Sequence, residues 1–156
     1  MRFLVFLLIS LSSSFSVNAQ TSRKELKAEK EKVKATVVDF IDALNMGDRI
    51  KMENTFHFTI RLMTISVKDG RHLIAEDDKN DLLRAIAMPR VNTWKEEITS
   101  YEILVDGDLA QVWAKYNFYL DGKIIHCGID AFQLFKSPDG WKIIQVTDTR
   151  VTEGCK

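Results

Sequence analysis

Residues 109–151 read LAQVWAKYNFYLDGKIIHCGIDAFQLFKSPDGWKIIQVTDTRV, and the punctuation of that stretch decides the fold. Asp121-Gly122 and Asp139-Gly140 separate runs rich in β-branched and aromatic residues, and Asp106-Gly107 stands just ahead of the stretch. Asp-Gly adopts the left-handed backbone that tight hairpin turns require, which makes it the strongest local hairpin signal. Three such turns in succession predict a four-stranded antiparallel meander over residues 93–105, 109–120, 123–136 and 141–151.

Upstream of the meander the period changes. Val33, Val37, Phe40, Ile41 and Leu44 recur at helical spacing and form one apolar stripe. Gly47 follows where a helix C-cap belongs, and Asp48 caps a short second helix through about Thr55. Residues 58–67 read as a strand, Asp69-Gly70 as a turn, and Leu73-Ile74-Ala75 as the returning strand. Asp77-Asp78 then offers an N-cap for a third helix carrying Leu82, Leu83 and Ile86, which Pro89 ends. The class this implies is α+β: a cone-shaped, curved antiparallel sheet packed on three helices, with an apolar cavity between the layers.

The N-terminus gives an expected address. Arg2, the apolar run Phe3 to Ile9 and the small-residue ending Val17-Asn18-Ala19 have the order of a secretory signal peptide cut after Ala19. The domain reading is therefore a signal peptide over 1–19, a charged linker and helix start over 20–30, one domain over 31–151, and a tail over 152–156. The mature chain is expected to be secreted or periplasmic and to have no stable membrane anchor. The 22 Lys and Arg balance the 22 Asp and Glu, so nothing draws the chain as a whole toward nucleic acid. Cys127 and Cys155 could pair in an oxidising compartment, but a strand cysteine is more often a buried free thiol, which is the expected state here.

Several blocks carry a family resemblance. They are Gly107-Asp108-Leu109-Ala110, the Trp113-Ala114-x-Tyr116-x-Phe118-Tyr119 run into Asp121-Gly122-Lys123, His126-Cys127-Gly128-Ile129-Asp130, and Asp139-Gly140-Trp141-Lys142-Ile143 with Asp148-Thr149-Arg150 beyond it. With these the chain resembles the nuclear transport factor two-like superfamily, and within it the bacterial lumazine-binding-like proteins. The resemblance spans residues 31–150 and implies the cone-shaped fold. It does not imply one activity, because the superfamily contains ketosteroid isomerase, scytalone dehydratase, polyketide cyclases and non-enzymes.

Which residues enter the cavity depends on the register at Asp121-Gly122. A two- or four-residue loop sets Phe118 opposite Ile125 and Tyr116 opposite Cys127, giving an almost wholly apolar face of Val112, Ala114, Tyr116, Phe118, Ile125, Cys127, Ile129 and Ala131. His126 and Asp130 then fall on the other face. A three-residue loop with a bulge pairs Tyr116 with His126 and turns His126 and Asp130 inward. Segregation of apolar residues favours the first register, while Gly128 hints at a mid-strand irregularity.

Three readings follow. The leading one is a binding pocket for a small apolar or aromatic ligand, lined by Phe40, Leu44, Arg61, Val112, Ala114, Tyr116, Phe118 and Cys127, without catalysis. The second is an enzyme of the dehydratase, isomerase or cyclase kind using His126, Asp130 and Tyr116 as acid and base. On a regular strand, His126 and Asp130 stand ~13 Å apart, so they would act on different substrate atoms. The resemblance to ketosteroid isomerase would make Tyr116 and Asp130 an oxyanion clamp in the shifted register, but no residue matches that enzyme's carboxylate base. The third is a homodimeric interaction module joined through Trp113, Tyr119 and Phe132 on the outer sheet face. The three histidines lack ligand spacing and no cofactor motif occurs, so neither a metal nor a cofactor is expected.

Overall fold

The computed structural model describes residues 23–155; the signal-peptide expectation lies outside them. The elements are α1 (Arg23–Met46), α2 (Arg49–Thr55), β1 (Phe56–Lys68), β2 (Arg71–Asp77), α3 (Lys79–Ala87), β3 (Trp94–Asp106), β4 (Leu109–Leu120), β5 (Lys123–Ser137) and β6 (Gly140–Arg150). The Lys/Glu-rich stretch expected to be partly linker is the exposed beginning of α1. Gly47, at φ 72°, ends that helix in the left-handed conformation. Asp48 then caps α2 through its carboxylate, which accepts from the Lys51 backbone N–H at 2.9 Å.

The strands form one six-stranded sheet in the order β2-β1-β6-β5-β4-β3. The β3-to-β6 meander is antiparallel throughout, and the β1–β2 hairpin joins it through a parallel pairing of β1 with β6. Extra residues bulge the ladders at Thr99, Ile125 and Ile144. Each bulge increases local twist, so the sheet bends around the helices.

Helix α1 lies across the concave face. Its Val33, Val37, Phe40, Ile41 and Ala43 are buried against Val112, Ala114, Phe132, Leu134 and Ile143. Phe40 meets Phe132 edge to face at 5.7 Å between centroids. Phe132 is fully buried, so it is not on the outer face; of the other two aromatics expected there, Trp113 is exposed and Tyr119 half-buried.

The register at Asp121-Gly122 combines the two alternatives. Leu120 pairs with Lys123 and Tyr119 with Ile124 across a two-residue turn, and the bulge at Ile125 then sets Phe118 opposite His126 and Ala114 opposite Asp130. The loop length is that of the first reading, while the facing beyond the bulge is that of the second. Cys127 consequently leaves the cavity face. It forms a disulfide with Cys155 (Cα–Cα 5.6 Å), so the expected free thiol is corrected. That bond holds the C-terminal tail on the sheet, where Cys127 and Val151 also exchange two backbone hydrogen bonds of 2.9 Å.

Candidate functional site

A cavity of about 660 Å³ opens between the concave sheet, α1 and α3. Buried Asp130 lies in its floor, and the exposed residues Asp77, Asp81 and Ala85 stand at its mouth. Phe40, Leu44, Trp94, Tyr116, Phe118 and Val146 supply apolar surface. His126 stacks flat on Phe118, with ring centroids 4.8 Å apart and planes 1° apart.

Polar groups converge on the Tyr116 hydroxyl. It lies 3.2 Å from His126 Nδ1, donates to the Thr149 carbonyl at 2.9 Å and is 3.5 Å from Asp148 Oδ2. Asp148 is itself fixed by Thr64 Oγ1 at 2.6 Å and by Arg150 Nε at 2.6 Å. A second Arg150 nitrogen donates to Thr64 at 3.2 Å.

Gly128 explains why the Thr149 carbonyl can reach inward. A Cβ at Gly128 would stand 1.8 Å from the Thr149 carbonyl oxygen. The missing side chain is the space through which the β6 backbone turns toward Tyr116. Thr149 Oγ1, in turn, accepts from the Ile129 N–H at 3.0 Å.

On the floor two carboxyls meet. Asp130 is 4% exposed and its Oδ2 has no partner among the described residues. Its neighbour is Glu96, and two carboxyls hydrogen-bond only through a shared proton. Burial raises the Asp130 pKa well above the carboxylate range, and the nearby Glu96 and Asp148 raise it further. Burial, reinforced by Asp148, lifts Glu96 to about 7. The backbone of Glu96 is locked by Asn45, which donates to its carbonyl at 2.9 Å and accepts from its N–H at 2.7 Å. Desolvation, followed by the Arg150 charge, lowers His126, so its imidazole is neutral at pH 7. Burial and the surrounding carboxylates raise the Tyr116 phenol, which stays protonated.

The expected site residues divide clearly. Tyr116, His126 and Asp130 share the cavity, with Phe40, Leu44 and Phe118 in its walls. Val112 and Ala114 do not line it, because α1 covers them completely. Cys127 is turned away by the bulge into its disulfide. Arg61 is exposed on β1, where it pairs with Glu76 at 3.0 Å. Glu96, Asp148 and Arg150 were not among the expected residues. Glu96 carried a readable signal, since it alternates in phase with the partly buried Trp94 and Ile98 on β3. A more open groove of about 790 Å³ lies between α1, α2 and the β5–β6 turn. Its lysines already have partners: Lys32 bonds Glu29, Lys51 bonds Asp39 and Asp42, and Lys142 bonds the Asn54 carbonyl.

Residues 28–147 match the family described as putative lumazine-binding. The chain belongs to that family. With the family match and solved structures described as nuclear transport factor two-like sharing the fold, the chain falls in the nuclear transport factor two-like superfamily. A Mycobacterium tuberculosis protein of unknown function aligns at 18% identity and TM-score 0.69 over 84% of this chain and 76% of its own. A putative dehydratase of the nuclear transport factor two-like family from Streptomyces avermitilis aligns at 18% identity and TM-score 0.58, over 80% and 97%. The beta subunit of a putative aromatic-ring-hydroxylating dioxygenase from Novosphingobium aromaticivorans aligns at 15% identity and TM-score 0.66, over 83% and 94%. No curated protein matches this member of the lumazine-binding-like family.

Proposed function

We propose that this family member binds a small molecule in the cavity under α1 and performs acid–base chemistry on it, as a proton-transfer or elimination enzyme. One observation carries the reading: Tyr116, His126, Asp130 and Glu96 all line a single apolar-walled cavity. Neutral His126 is the base through Nε2, and the Tyr116 hydroxyl, already donating to Thr149, accepts from Nδ1–H at 3.2 Å and fixes that tautomer. The Glu96–Asp130 pair retains a proton near pH 7 and serves as the acid. Groups whose environments set them to opposite proton tasks in one cleft are typical of such sites. The likeness to a dehydratase supports the fold but does not transfer its reaction. The Cys127–Cys155 disulfide supports an exported chain, since such bonds persist in oxidising compartments.

The test is a panel of cyclic ketones and β-hydroxy ketones incubated with the protein in deuterated water and followed by proton NMR. Exchange of α-hydrogens or loss of water is expected, with a drop of about 10²-fold or more in His126→Ala. Absence of turnover across the panel, with compounds still seen to bind, would leave a binding protein rather than an enzyme.

A further inference from the structure

The cavity has an unbalanced set of charges. Five carboxyls line it, from Asp77, Asp81, Glu96, Asp130 and Asp148, against one guanidinium, from Arg150. Arg150 is already engaged by Asp148 and Thr64. Asp81 is bonded to Arg84, which is not among the lining residues. At the floor, Asp130 Oδ2 is buried and accepts from no donor among the described residues. A buried acceptor left without a donor costs free energy, so a ligand supplying one is favoured. The walls beside the floor include Trp94, Tyr116 and Phe118, and aromatic faces attract cations. Arg90 already sits over one face of Trp94 and His126 over one face of Phe118, so a ligand would meet the remaining faces.

From this we infer that the ligand carries a basic nitrogen on a flat apolar body, and that its protonated amine seats against Asp130 and Glu96. The inference rests on the cavity being a small-molecule site but not on catalysis there. With one proton shared between them, the two carboxyls keep a negative charge that Arg150 offsets only through space, because its hydrogen bonds go to Asp148 and Thr64. An ammonium can donate to both carboxyls and present its remaining charge to the rings. A carboxylate or phosphate would enter against like charge and leave Asp130 Oδ2 unsatisfied.

Three probes of one shape test the inference: naphthalen-2-ylmethanamine, naphthalen-2-ylmethanol and naphthalene-2-carboxylate. Binding is followed by NMR on the Trp94 indole N–H, because Trp113 and Trp141 do not line this cavity. The amine is expected to bind at least about tenfold tighter than the alcohol, the worth of one charge-assisted hydrogen bond. The carboxylate should bind weakest. Asp130→Asn and Glu96→Gln should each reduce the amine's advantage while leaving alcohol binding nearly unchanged. If Asp130→Asn does not fold, Glu96→Gln alone decides. An alcohol as tight as the amine, a carboxylate ahead of either, or an advantage that survives both substitutions would overturn the inference but leave the cavity reading standing. If none of the three binds, both fail.

Discussion

Gly128→Ala is the substitution on which the site geometry can best be tested. The added methyl would lie 1.8 Å from the Thr149 carbonyl oxygen, 2.8 Å from its carbonyl carbon and 2.9 Å from its Oγ1. Two of these atoms are backbone, so they cannot rotate away as a long side chain would. Residues 148–151 must move instead. The move breaks the Tyr116-to-Thr149 bond of 2.9 Å and the Ile129-to-Thr149 bond of 3.0 Å. Each is worth about 0.5–1.5 kcal/mol net, and forced overpacking adds about 1–3 kcal/mol. The sum is about 2–6 kcal/mol, or roughly 6–18 °C in Tm for a domain of this size. Thermal unfolding by circular dichroism measures that loss. Tyr116→Phe provides the coupling: it should cost about 1 kcal/mol in the parent chain and less in the Gly128→Ala background, where only its contacts with His126 and Asp148 remain to be lost. A Gly128→Ala melt within about 1 °C of the parent, or full additivity of the two substitutions, would refute the claim that the absent side chain admits the Thr149 carbonyl to the site.

Two further outcomes follow from the carboxyl pair and the disulfide. Glu96 and Asp130 titrate higher folded than unfolded, Glu96 at about 7, so their contribution to stability is complete below about pH 4 and is lost as pH rises through about 7. His126 is depressed and acts in the opposite sense: its contribution is present above its unfolded value and lost as pH falls through the folded one. Comparing Glu96→Gln with the parent isolates the carboxyl effect; the variant should gain in relative Tm between about pH 5 and about pH 8, and a constant difference would count against the shared proton. Cys155→Ser opens the Cys127–Cys155 link, which spans 28 residues of sequence separation. On the chain-entropy account it should cost about 3–4 kcal/mol, visible as a lower Tm that reductant no longer changes; an unaltered melt would refute the stabilising role.

The positions of the elements were legible because their signals are local. Asp121 and Gly122 adopt φ of 50° and 78°, as a two-residue Asp-Gly hairpin turn requires. The stripe Val33, Val37, Phe40 and Ile41 is buried on α1 as its spacing implies. The β1–β6 parallel pairing was not legible, since it joins strands far apart in sequence and no turn residue marks it. Glu96 was half legible: its alternation with Trp94 and Ile98 pointed inward, but the second carboxyl that gives it meaning lies two strands away on β5.

The sequence by itself determined that helices and a twisted meander would close on an apolar interior, because periodicity and turn chemistry act between near neighbours. Tertiary structure alone decided which polar residues enter that interior. One extra residue at Ile125 inverts the facing of His126 and Asp130 relative to a regular hairpin. A side-chain period of two makes any single-residue slip exchange the buried and exposed faces. Gly128, three residues beyond the bulge, hints at an irregularity in the strand but does not place it.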